Sequence, residues 1–150
     1  MQIALRRDAA TDAGLIARLF CWLIKVRLVS QYCHGGVVIN GVLHHITAAH
    51  GPHALQPGEW TPANWRLIDI GGDDAKALVE WQRICAPPTG WRGWVWRLLK
   101  GYDHFGLLAF VGVPNTVSWL NYCFEVCLRM AGLRVTGRVT PELLIEMGLP

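Results

Sequence analysis

Cys123 lies in the run Asn121-Tyr122-Cys123-Phe124-Glu125, within a helix that reads on to Ala131 with Cys127 one turn deeper. With Asn121 as the cap, Cys123 falls in the first turn of a helix, where free amide N–H groups and the helix dipole favour a thiolate; a cap at Ser118 would set it deeper. The first placement makes it the thiol that alkylating reagents should find at mildly acidic to neutral pH. A thiolate nucleophile needs a base, and the histidines nearest a well-defined element are those of Cys33-His34-Gly35-Gly36-Val37-Val38-Ile39-Asn40-Gly41-Val42-Leu43-His44-His45-Ile46-Thr47. Here two β-type runs meet at Asn40-Gly41, the dipeptide favoured in a two-residue type I′ hairpin turn. That turn sets Ile39 opposite Val42, Val38 opposite Leu43, Gly36 opposite His45 and His34 opposite Thr47. Side chains alternate along a strand, so His34, His45 and Thr47 share one face while His44 and Cys33 point to the other. The chemistry available to such a set is acyl transfer. In such chemistry a histidine takes the thiol proton and the sulfur attacks an acyl carbonyl. The structural reading of the same residues is half-buried strand histidines bonded to backbone, and a packing thiol.

Metal binding is the competing use. His44, His45, His50 and His53 cluster in sequence with Cys33 nearby. No second cysteine or carboxylate group completes a zinc ligand set, and no Gly-rich phosphate loop precedes a helix, so neither metal nor cofactor is expected.

Several elements must hold these residues. Gln2–Leu5 reads as a strand, and Asp12 as the cap of an amphipathic helix whose apolar positions are Leu15, Ile16, Leu19, Phe20, Leu23 and Val26. Its Arg18 and Lys25 form a basic face beside Phe20 and Trp22, which is either solvated or suited to a lipid surface. Residues 48–64 read as loop from their Gly, Pro and Ala content, and Arg66–Ile70 as another strand. Asp73-Asp74 starts a helix ending at Cys85, and Ala86-Pro87-Pro88-Thr89-Gly90 stops it. In Trp91–Lys100, three Trp and three basic residues occupy ten positions. Helical spacing puts Trp91, Trp94 and Leu98 on one side and Arg92, Trp96 and Lys100 toward another, so at least one Trp, with Trp96 the chosen candidate, should stay partly exposed. Asp103 can cap His104–Val111, Pro114-Asn115 can turn, and Arg134–Thr136 can form a short strand. The Cys123 helix should stop at Gly132; Thr140, Pro141 and Gly148 bracket a last helix.

Composition narrows the function classes. The chain has 150 residues, one domain's worth, so a single domain over 1–150 is expected. Hydrophobic residues make up 52% and charged residues 17%, which excludes disorder. A net charge of +3 is too slight for nucleic acid, though it allows weak attraction to an anionic surface. The five cysteines lack the close paired spacing of a disulfide framework, so reduced thiols are expected, with Cys21, Cys85 and Cys127 as small core residues. With neither a signal peptide nor an apolar run of about 20 residues visible, the expected location is the cytoplasm, with phage delivery as another route.

In order along the chain these motifs resemble the circularly permuted NlpC-like (YiiX-like) cysteine hydrolases, a papain-related branch that includes relatives of lecithin retinol acyltransferase. Gln31-Tyr32-Cys33-His34-Gly35-Gly36-Val37-Val38-Ile39 looks like the family's His-bearing strand. Tyr122-Cys123-Phe124-Glu125 with Leu128, Ala131 and Gly132 looks like its Cys helix, Phe124 standing where Ser is frequent. Thr140-Pro141-Glu142-Leu143-Leu144 resembles its closing segment. The resemblance implies Cys123 as nucleophile, His34 as base and His45, where many members have Glu, as the polar third residue. It also implies an α+β fold in which a small antiparallel sheet packs against helices, with the Cys123 helix on the face that carries His34. The expected activity is hydrolysis of an amide or ester bond through an acyl-enzyme, most naturally in cell-wall peptide (peptidoglycan). The alternatives are a lipid-directed acyl hydrolase or acyltransferase and a non-catalytic membrane- or wall-binding module with peripheral membrane contact.

Overall fold

The computed structural model describes residues 1–8, 14–102, 123–133 and 141–147. Five strands, β1 (Gln2–Arg6), β2 (His34–Ile39), β3 (Val42–Thr47), β4 (Gly51–Leu55) and β5 (Arg66–Asp69), form one sheet in the order β4-β3-β2-β1-β5. Every neighbouring pair is antiparallel. The helices are α1 (Leu15–Leu28), α2 (Asp74–Cys85), α3 (Trp91–Leu98), α4 (Cys123–Met130) and α5 (Pro141–Met147). The chain is thus α+β, with an antiparallel sheet and helices packed on it. Among the described residues no helix is long and apolar enough to cross a membrane.

The hairpin forms in the expected register, Gly36 opposite His45 and Ile39 opposite Val42. Asn40 and Gly41 both have positive φ, 51° and 80°, as a type I′ turn requires. Alternation then divides the sheet. Ile3, Leu5, Val37, Ile39, Ile46 and Ile68 point to the main core with Trp81, Ile84, Phe124, Cys127 and Leu144. Ala4, Val38 and Leu43 meet Trp65 on the other face, with Leu55 and Trp60 at the margin.

Strand β4 lies where a loop was expected. Pro52 cannot donate to a ladder, which argues against an interior strand, but β4 is the sheet edge, where a missing N–H is tolerated. Residues 66–69 form the expected strand. Helix α2 starts as the sequence indicates, the Asp73 side chain accepting from the Lys76 N–H at 3.1 Å. The cap expected at Asp12 lies outside the described residues, as do Ser118, Asn121, Tyr122, Thr140, Gly148, the His104–Val111 helix, the Pro114-Asn115 turn and the Arg134–Thr136 strand. Gly132 does end α4: its φ is 77°, and the N–H of Leu133 bonds back to Leu128 O at 3.0 Å.

Two cysteines differ from expectation. Cys21 and Cys33 form a disulfide, tying α1 to the segment that enters β2. Their spacing hides this, because the bridge spans twelve positions and joins a helix to a strand rather than closing a compact Cys motif. Cys85, Cys123 and Cys127 are free thiols. In α3 it is Trp91 and Trp94 that stand exposed, whereas Trp96 is half-buried because its ring lies over Gly101, where no side chain obstructs it.

Candidate active site

His34 and His45 meet as hairpin geometry predicts. Nε2 of His34 and Nδ1 of His45 lie 2.8 Å apart, a hydrogen bond whose proton sits on one ring or the other according to tautomer. If His34 donates from Nε2, its Nδ1 carries the lone pair that a general base needs. His45 then accepts at Nδ1 and carries its own proton on Nε2, an atom that is buried without a hydrogen-bond partner among the described residues. Thr47, the other polar residue on this face, accepts instead from the His50 N–H at 3.2 Å.

The pair sits in a desolvated, cationic setting. Burial, followed by the charges of Arg6 and His53, lowers the His34 pKa from 6.5 to about 4. Burial, then the charges of His34, His53, His50 and Arg6, lowers that of His45 to about 2. Both rings are therefore neutral at physiological pH, free to accept a proton but weaker bases than an exposed imidazole. Sequence reasoning missed three contributors. Arg6 is the cross-strand partner of His34, and the Trp65 ring lies tilted against it with centroids 5.6 Å apart. His53 lies opposite His45, with ring centroids 4.1 Å apart. The alternation of Gly51, His53 and Leu55 was the available signal for His53, obscured by Pro52.

Cys123 is buried and is the first residue of α4 as described. Its placement corrects one expectation: α4 packs on the Gly35–Val37 side of the sheet, opposite the face of His34 and His45. The reason is Gly35. A Cβ there would lie 2.8 Å from Phe124 Cδ1 and 3.3 Å from Cys127 Sγ, so the bare glycine admits the Phe124 ring against the strand. The Cys127 thiol completes the seam, 3.4 Å from Gly36 O. Cys123 stands beside the Gly35 amide, one residue from His34, but no hydrogen bond joins it to His34. Burial also opposes the expected reactive thiolate. It pushes the Cys123 thiol up to about 12 even though the amides of Gly35, Phe124 and Cys123 favour the anion.

Gly35→Ala should therefore destabilise the protein by about 1–3 kcal/mol, the usual range for overpacking a filled core. Thermal unfolding should show a midpoint lower by several degrees, and an unchanged midpoint would mean that α4 yields freely.

His44 lies on the opposite face, edge-on to Trp81 with ring centroids 5.2 Å apart, and Cys33 is in the disulfide. Among the described residues no group of three or more His, Cys, Asp or Glu side chains is arranged to hold a metal ion. Compared with family models, with curated proteins and with solved structures, the chain matches none.

Proposed function

We propose that the protein is a cysteine hydrolase of the permuted NlpC-like kind, cleaving an amide or ester bond through an acyl-enzyme on Cys123. The reading rests above all on the neutral His34–His45 pair, bonded at 2.8 Å and set one residue from the Gly35 amide that contacts the Cys123 thiol. His34 Nε2 is committed to His45, so Nδ1 is the nitrogen that takes the thiol proton. His45 acts as the positioning residue. His34 opens β2 and faces away from α4, so the proposed dyad requires its ring to turn about the strand end toward Gly35 before it can reach the sulfur. The Gly35 amide, already near the sulfur, is suited to stabilise charge developing at the site. Cell-wall peptide is the proposed substrate, and an acyl lipid is the alternative.

The deep burial of Cys123, with its raised pKa, favours a second reading: a non-catalytic binding module of the same fold. Mass spectrometry after incubation with murein peptides and with activated acyl esters separates the two. The hydrolase predicts an acyl adduct on Cys123, absent in His34→Ala. A binding module gives no adduct with any donor.

A further inference from the structure

Helix α1 is anchored on one side and bare on the other. Its inner side carries Cys21, bonded to Cys33, and Ile24, which packs against the main core. On the outer side Leu15, Leu19, Trp22 and Val26 recur at four- and three-residue spacing, which lines them along a single stripe. All four are between 53% and 83% exposed. An apolar stripe this long, on a helix fixed by a disulfide, costs solubility unless something covers it.

The charges along the helix indicate what does. Its sequence contains Arg18, Lys25 and Arg27 and no acidic residue. Arg18 and Lys25 fall on one edge of the stripe. Lys25 pairs with the exposed Asp8 at 2.8 Å, which offsets one charge but is a surface contact that competes weakly with another anion. A second copy docked stripe to stripe would bring two such basic rows together with no carboxylate on either helix. An anionic lipid surface complements both features, taking apolar side chains into the acyl boundary and basic ones among the headgroups, with Trp at the interface. Helix α3 has the same make-up. Its Trp91, Trp94 and Leu98 are between 64% and 69% exposed, and Arg92 and Arg97 are its only charged residues.

We propose that the protein docks peripherally on anionic membranes through the Leu15–Leu19–Trp22–Val26 stripe of α1, with the exposed face of α3 as a second contact. The docking does not depend on whether Cys123 is catalytic, and its test requires no turnover. In flotation with phosphatidylglycerol–phosphatidylcholine vesicles, the full chain should rise with the lipid. It should stay behind with pure phosphatidylcholine, and binding should weaken strongly when the salt is raised. Trp22→Glu, a change at an exposed position, should keep the thermal midpoint and lower partitioning about tenfold or more. Trp91→Glu should give a smaller loss. Three results would overturn the proposal: no flotation with anionic vesicles, binding untouched by Trp22→Glu, or a dimer in sedimentation equilibrium that Trp22→Glu dissociates without any vesicle binding. The last would assign the stripe to a second copy of the chain.

Discussion

Cys123→Ala should bring turnover of any ester or amide substrate down to the uncatalysed rate, and His34→Ala should lower kcat about 100- to 10,000-fold, the usual worth of a positioned general base. The two losses should not add, because the residues act as one unit. The resting protein should look quite different from one with a preformed thiolate. The Cys123 thiol is pushed up to about 12 and His34 is lowered to about 4, so at neutral pH both members of the proposed dyad are uncharged. Alkylation of Cys123 by iodoacetamide at pH 7 should therefore be slow and should climb with pH well into the alkaline range, since only the thiolate reacts. An acyl substrate avoids that barrier only if His34 removes the proton as the sulfur attacks, which makes turnover at pH 7 compatible with slow alkylation. Wild-type turnover surviving in Cys123→Ala would end the proposal. Rapid labelling of Cys123 at pH 6 would keep the nucleophile but refute the neutral resting pair.

What the sequence revealed and what it hid follows from the range of the forces involved. The hairpin was legible because Asn40-Gly41 sets a turn type and the turn type sets the register, a wholly local chain of cause that brought His34 and His45 onto one face. Helix α2 was legible for the same reason, through Asp73-Asp74 at its start and Ala86-Pro87-Pro88 at its end. The side on which α4 packs was not local. It depends on which of two adjacent residues, His34 or Gly35, lets a ring approach the strand, and the missing Cβ of Gly35 decides it. The Cys21–Cys33 bridge likewise depends on how α1 lies against the entry to β2. Strand β4 was hidden by Pro52, whose meaning changes once the strand is known to be an edge. The perturbation of Cys123 was the largest surprise, because a first-turn position argues for a thiolate while burial, which only packing determines, argues more strongly for the thiol.

The folded chain is expected to lose several kcal/mol of stability between pH 6.5 and pH 4. An unfolded histidine binds a proton near pH 6.5, whereas His34 does so only near 4 and His45 only near 2. As the pH falls through 6.5 the unfolded chain takes up protons that the native protein refuses, so acid favours unfolding. Above 6.5 neither state is protonated at these sites, and the effect vanishes. Each such histidine costs about 1.4 kcal/mol per pH unit until its folded pKa is reached. Because His34 begins to take up its own proton near pH 4, its share is the smaller, and together the two remove on the order of 5 kcal/mol by pH 4, comparable to the stability of an ordinary domain. Burial lowers His44 as well, adding in the same direction. The carboxylates act in a different window. Lys25 beside Asp8, and the Lys76 amide at Asp73, hold those two groups below 3.8, so their contributions are lost only at still lower pH. Urea midpoints measured from pH 7.5 down to 4.5 should fall steeply, and a His34→Gln/His45→Gln double variant should flatten the curve to the residual slope left by His44. A midpoint independent of pH across that range would show that the two rings take up protons in the folded protein just as in the unfolded chain, refuting their lowered pKa values.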